Sequence, residues 1–276
     1  MFSPYYASQR RYGWSNPENH CAINVALYGA SGKKWAMTER GAAAVHRNET
    51  ALTVGPSRMS WNGTSLDVEV DEITSPFPSR IKGVIRLHPH ALNPRSFPID
   101  ADGDHTWWPI APVARVEVLL DKPGLRWSGS GYLDSNYGAV PLERTFKRWD
   151  WSRTVEETGT SVLYDVTSKN GDESALAIRF DKSGGATDVE LPPRAPLPGT
   201  LWGVDRATRA IDGHPAKVIE TLEDGPFYSR SLVSTNLGDK PVTAIHESLS
   251  LDRFGSLWVQ GLLPFRMPRR KGPRVG

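Results

Sequence analysis

Two short alternating pairs of residues carry the chemistry this sequence can do. His105-Thr106-Trp107 lies inside GDHTWW (103–108), and Tyr132-Leu133-Asp134 lies inside SGSGYLDSN (128–136). In an extended strand the side chains at i and i+2 point to the same face. His105 and Trp107 are therefore expected to share a face, as are Tyr132 and Asp134. The chain between them reads as a hairpin: Arg115-Val116-Glu117-Val118-Leu119 alternates, Lys122-Pro123-Gly124-Leu125 suits a type II turn, and Arg126-Trp127-Ser128 begins the return. An acid, a base and two electron-rich rings meeting in an apolar pocket suit the making and holding of a carbocation. They do not suit hydrolysis or redox chemistry.

Each residue also has a plainer reading. An Asp before Ser-Asn is commonly a turn residue. A Trp on a strand is commonly core, and this chain has ten. His105, between Asp104 and Trp108, reads equally as an ordinary loop histidine. If the pairs are functional, Asp134 is the proton donor, kept protonated by apolar surroundings that disfavour its anion. Trp107 and Tyr132 offer π faces to the cation. His105 either orients Asp134 or accepts the proton of the attacking water, and these two roles are interchangeable on sequence alone.

Other blocks bear on the family. NVALYG (24–29) is followed by WAMTERG (35–41), GYLDSN (131–136), FKRWDWS (146–152), DGPFY (224–228) and LPFRMPR (263–269). Taken together and in order, they resemble the carotenoid 1,2-hydratases, also called hydroxyneurosporene synthases, from about Asn24 to Arg269. The resemblance implies an all-β fold of two tandem lipocalin-like antiparallel barrel or sandwich units, with no metal or organic cofactor. It implies addition of water across the terminal C1–C2 double bond of acyclic carotenoids such as neurosporene and lycopene. The family's catalytic His/Trp and Tyr/Asp pairs fall on His105, Trp107, Tyr132 and Asp134. It further implies peripheral contact with lipid of an inner, photosynthetic membrane. The competing function on the same scaffold is a carotenoid or terpenoid carrier without catalysis. A weaker one is a cyclase or isomerase that excludes water after protonation.

The remaining elements must position these groups. Alternating runs dominate: Leu66–Val70, Ile81–Leu87, Ser161–Val166, Ala175–Phe180 and Ala216–Glu220 read as half-buried antiparallel strands. No two clean turns of 3.6-residue periodicity occur, so helix is expected only in short segments. A boundary is expected near residues 148–153, giving an N-terminal β unit (1–150) with the catalytic pairs and a C-terminal β unit (151–276) with a basic tail. LPPRAPLPG (191–199) reads as a stiff surface connector. Trp149 and Trp151 flank Asp150 and share a face, which places them in the core or along a polyene channel. Trp108 and Glu39 are further candidates for lining the pocket, although Glu39, beside Arg40, also reads as a structural ion pair.

Composition excludes several classes. With 23% charged and 38% hydrophobic residues the chain is that of a globular protein, and its net charge of +2 gives no case for nucleic acid. No apolar run approaches the ~18 residues needed to span a bilayer. The N-terminal MFSPYYASQRRYGW has no continuous apolar core, so a cytoplasmic location is expected. One cysteine, Cys21, excludes an internal disulfide. His88-Pro89-His90 lacks a clear third metal ligand, Gly29–Lys33 is too short for a phosphate loop and reads as a hairpin turn, and no Gly-x-Ser-x-Gly elbow exists. Basic residues crowd the C-terminus: Arg266, Arg269, Arg270, Lys271 and Arg274 follow the apolar stretch Leu257–Phe265. That stretch is expected to be a buried last strand, or, through Leu262, Leu263 and Phe265 beside Arg269, Arg270 and Lys271, a lipid-docking edge.

Overall fold

The computed structural model describes residues 2–13, 15–29, 32–238 and 240–270. Short antiparallel strands dominate, as the alternating runs require. Two compact units form, interleaved along the chain. One comprises residues 1–89, 115–131 and 260–276, and the other residues 90–114 and 132–259. The break expected near residues 148–153 falls instead inside a continuous strand. Two of the four crossings lie in the long hairpin, whose two strands each contribute one end to each unit, and the others fall after residues 89 and 259.

The first unit opens with helix α1 (Pro4–Arg11), capped by Ser3. There follow β1 (Asn24–Leu27), β2 (Lys34–Met37), β3 (Glu39–Arg40), β4 (Val45–Arg47), β5 (Ala51–Val54), β6 (Ser57–Trp61), β7 (Leu66–Ile73) and β8 (Arg80–Pro89). β4 to β8 form an antiparallel meander. Val25, Ala36, Val54, Val70, Ile81, Val118 and Leu120 are its buried core. The turn read over Gly29–Lys33 includes Ala30 and Ser31, which lie outside the described residues, as do Lys271 and Arg274.

The second unit contains β9 (Phe97–Pro98) and the ends of the long hairpin formed by β10 (His105–Lys122) and β11 (Leu125–Gly138). Pro123 and Gly124 make its turn, with Gly124 at φ 90°, a conformation that glycine adopts without strain. After helix α2 (Leu142–Thr145) come β12 (Phe146–Val155), β13 (Gly159–Ser168), β14 (Glu173–Asp181), β15 (Ala186–Asp188), β16 (Arg194–Leu197), β17 (Arg206–Arg209), β18 (Lys217–Asp224), β19 (Tyr228–Asn236) and β20 (Pro241–Ser250). Seven of these form one open sheet, in the order β15-β14-β13-β12-β20-β19-β18. The proline-rich segment is partly strand, because β16 pairs with β17. Neither principal sheet closes on itself as a single barrel.

The stretch expected as a last strand is helical. Ser250 caps α3 (Leu251–Gly255), and α4 (Leu257–Leu262) with a 3-10 turn over Leu263–Phe265 follows. The turn proline, Pro264, and the small residues Gly255 and Ser256 suit short helices better than a ladder. The 3-10 turn leads to β21 (Arg269–Arg270), which lies parallel to β3.

Candidate active site

β10 and β11 bring three of the four paired residues together. Trp107 is wholly buried, and its Nε1–H donates to Asp134 Oδ2 at 3.0 Å and to the Tyr132 hydroxyl at 3.2 Å. The Tyr132 hydroxyl in turn donates to Asp134 Oδ2 at 3.0 Å. Both donors converge on that one carboxyl oxygen, and neither reaches Oδ1. Tyr132 and Asp134 are half-buried, so the triangle has one buried corner and two accessible ones.

The electrostatics follow from this placement. Burial pushes the Asp134 carboxyl above its usual range, while the hydrogen bonds from Tyr132 and Trp107 pull it down and the charge of Glu247 raises it further. Burial also pushes the Tyr132 phenol well above its ordinary value, with the Asp134 charge adding to the effect. Tyr132 is thus held as a donor. The guanidinium of Arg153 lies 5.1 Å from the Tyr132 ring centre, and burial lowers the Arg153 pKa to about 10. One face of Tyr132 therefore already carries a cation.

The Trp107 ring is enclosed by other aromatic side chains. Its ring packs 4.9 Å from Tyr164 and 5.2 Å from Phe97, with Phe180 edge-on at 6.0 Å. β9 supplies Phe97, paired directly with Trp107. What Trp107 brings to the site is its polar edge.

His105 shares the buried face with Trp107, as the alternation requires, yet it is not hydrogen-bonded to Asp134. Its Nδ1 bonds Asp100 Oδ2 at 2.9 Å and its Nε2 bonds the Val140 carbonyl at 2.8 Å. Asp100 Oδ1 also accepts the His105 backbone N–H at 3.0 Å, and the Phe146 ring packs 4.8 Å from the imidazole. Both ring nitrogens are thus engaged, and orientation of Asp134 falls to Trp107 and Tyr132.

The other candidates separate. Trp151 lies beside the site, 5.5 Å from the Tyr132 ring, and Trp149 packs 5.3 Å from Tyr164 and 5.4 Å from Phe146. Asp150 faces the opposite side of β12, bonded to Ser248 and Arg148. Trp108 alternates away from Trp107; it is 36% exposed and donates to the Asn93 carbonyl at 2.8 Å. Glu39 belongs to the first unit. It is buried against Ser3, His20 and Arg269, tying α1 and β21 to β3. Its arginine partner is Arg269, not the adjacent Arg40. Among the described residues no group of three or more His, Cys, Asp or Glu is disposed to hold a metal ion, and no helix is long and apolar enough to cross a membrane.

Sequence reading missed Asp100, Tyr164, Arg153 and Glu247. Asp100 had a local signal, lying five residues before His105 in a polar turn. The others reach the site through the pairing of β12 with β13 and β20, which no local pattern encodes.

The family model described as Carotenoid hydratase CrtC matches residues 1–276. The chain belongs to the carotenoid hydratase family. Among relatives named acyclic carotenoid 1,2-hydratase, that of Thiocapsa roseopersicina is 55% identical over 273 residues, covering 99% of this chain and 67% of the relative. That of Rubrivivax gelatinosus is 48% identical, covering 98% and 67%. That of Cereibacter sphaeroides is 41% identical, covering 99% and 96%. The fold of this carotenoid hydratase family member also resembles solved structures at low identity. An AttH protein of Nitrosomonas europaea aligns with a TM-score of 0.53 at 12% identity, over 83% of this chain and 85% of that one. CghA, solved with Sch210972, aligns with a TM-score of 0.50 at 10% identity, over 83% and 84%. These two likenesses concern the fold alone, and the first supports the lipocalin-like architecture.

Proposed function

We propose that the protein is an acyclic carotenoid 1,2-hydratase that needs no metal or organic cofactor. The observation that carries this reading is the Asp134 carboxyl, pushed up by burial and gripped on Oδ2 by Trp107 and Tyr132. Adding water to an isolated trisubstituted alkene is a problem of acid strength. A carboxylic acid whose anion is disfavoured, with both donors on one oxygen, presents its proton from the other.

In this mechanism Asp134 Oδ1–H protonates C2 and leaves a tertiary cation at C1. Water forms the C–O bond at C1 and loses one proton, which gives the 1-hydroxy carotenoid. The rings of Tyr132 and Trp151 flank the cation, each contributing about 2 kcal/mol where desolvated. Trp107 and Tyr132 hold the acid in place. His105 is a positioning residue: by locking the start of β10 to Asp100 and Val140 it fixes Trp107 two residues on. A carrier of the same polyene would need only an apolar pocket and would gain nothing from this polar triangle.

The substrate dissolves in lipid tails, so the protein works in peripheral contact with a bilayer. Of the docking residues read from sequence, Leu262 and Phe265 are exposed, Leu263 is buried and Arg269 is bound to Glu39. In the second unit, Leu201, Trp202, Leu257 and Trp258 are also exposed and offer a further apolar surface. The deciding experiment is incubation of pure protein with lycopene or neurosporene in liposomes. Products carrying one or two added waters, read by mass, are expected; unchanged but bound carotenoid would reduce the protein to a carrier.

A further inference from the structure

Capture of the cation requires a water held beside C1 and a base for its proton. Neither His105, engaged on both nitrogens, nor Asp134, which must be the acid, supplies the holding site. The sheet of the second unit does. Trp151 on β12 is paired directly with Tyr164 on β13 and with Glu247 on β20, and Glu247 is paired directly with Arg230 on β19. Directly opposed residues of an antiparallel pair share a face, with Cβ atoms roughly 5 Å apart. Tyr164, Trp151, Glu247 and Arg230 therefore form one row across four strands, and Tyr132 lies against that row with its ring 5.5 Å from Trp151.

The Trp151 Nε1–H is buried and has no hydrogen-bond partner among the described residues. Buried donors are almost always satisfied, and an orphan commonly marks a bound water or ligand. Glu247 keeps 22% of its side chain exposed and is fixed by Arg230, whose Nε and Nη2 reach its Oε1 at 2.9 and 2.6 Å. The row thus runs from a buried donor with nothing to hold to a carboxylate that can exchange protons with solvent.

We propose that Trp151 Nε1–H holds the nucleophilic water and that Glu247 takes its proton, which makes both catalytic residues of the hydration. The assignment rests on the reading of Asp134 as the acid. The step balances. The Asp134 proton goes to C2, the water oxygen bonds to C1, and the proton released from that oxygen goes to the Glu247 carboxylate. Glu247 then yields its proton to solvent and Asp134 takes one up. One carboxyl is neutral and one charged before and after, so the half-buried site never accumulates a second negative charge. The same logic explains why the Glu247 charge adds to the upward push on both Asp134 and Tyr164.

The test uses Trp151→Phe and Glu247→Gln in D2O with liposomal carotenoid. Hydrated product and deuterium in the recovered carotenoid are both measured by mass. A cation formed but not captured loses a proton from C2 or an adjoining methyl and returns to alkene, carrying label. Hydration should fall at least about tenfold in each variant while the ratio of exchange to hydration rises about tenfold. Circular dichroism melts check that both variants fold, and Trp151→Phe leaves the Glu247–Arg230 pair in place should Glu247→Gln prove unstable. Undiminished hydration in both, or hydration and exchange falling together in folded protein, overturns the assignment. Wild-type hydration by Asp134→Asn overturns instead the reading beneath it.

Discussion

Trp107 and Asp134 are joined by a 3.0 Å hydrogen bond from a wholly buried indole to a half-buried carboxyl. The indole is wedged among Phe97, Tyr164 and Phe180, so it cannot follow the carboxyl if that group moves. Asp134 is thereby aimed by a rigid donor. That differs from an acid oriented by a titratable histidine, because the aim does not change with pH.

Asp134→Asn keeps the shape and the two incoming hydrogen bonds but has no proton to give. Turnover on lycopene is expected to fall by at least ~100-fold, the range of a general acid lost, with carotenoid binding retained. A residual rate above about a tenth of wild type, only ~1.4 kcal/mol in barrier terms, would assign the acid elsewhere.

The same substitution carries a pH signature in stability. The folded-state pKa of Asp134 is raised, mainly by burial. Its contribution is therefore fully present below the unfolded carboxyl pKa and is lost as pH rises through the folded one. Asn does not titrate. The melting temperature of wild type relative to Asp134→Asn should fall as pH rises from below about 4. A difference that is flat or grows with pH would show that Asp134 is not destabilised as an anion.

Tyr132→Phe removes one donor to Asp134 Oδ2 while keeping the ring. Because that hydrogen bond favours the anion, its loss should raise the Asp134 pKa further. Activity requires the protonated acid and falls as pH rises through that pKa, so the high-pH limb of kcat/KM should move to higher pH even as the maximum drops. A limb that stays put, or moves down, contradicts the role given to the Tyr132 hydroxyl.

His105 can be displaced without being altered. A Cβ on Gly138 would come within 2.6 Å of both His105 Cδ2 and the Asp104 carbonyl oxygen. Gly138→Ala should cost about 1–3 kcal/mol by overpacking, read by chemical denaturation, and lower turnover through Trp107. Displacing Trp107 weakens a hydrogen bond that favours the Asp134 anion, so the high-pH limb should move to higher pH as turnover falls. A limb that stays in place would mean that His105 does not act through Trp107.

The strand content and the pairing of Tyr132 with Asp134 were legible because alternation with a period of two is local. The burial of the Trp107 ring was not legible, since nothing local shows that Phe97, Tyr164 and Phe180 close over it. His105 and Asp134 looked like partners because both face inward. Asp100, five residues upstream, takes the imidazole instead. Glu39 carried an ion-pair signal whose partner, Arg269, lies 230 residues away. Leu257–Phe265 read as a strand on hydropathy alone, although Pro264 and the Gly255-Ser256 break favour short helices.

Lipid contact is expected to depend on apolar side chains more than on the basic tail. Leu201 and Leu257 are 102% and 74% exposed, and the rings of Trp202 and Trp258 stack with centroids 6.4 Å apart. The Arg253 guanidinium lies 5.4 Å from the Trp258 ring. Stacked, half-exposed indoles beside a cation suit the interface between headgroups and acyl chains. Arg269 is committed to Glu39, which removes one of the charges that would draw the tail to anionic lipid. Charge attraction is screened within about 10 Å at 0.1 M salt. Liposome binding should therefore weaken only modestly as salt rises, and more when Trp202 and Trp258 are both changed to Ser. That double variant should turn over liposomal carotenoid more slowly than wild type while matching it on detergent-dispersed carotenoid. An equal drop in both assays would make the indole pair structural, and binding abolished by salt alone would return the docking role to the basic residues.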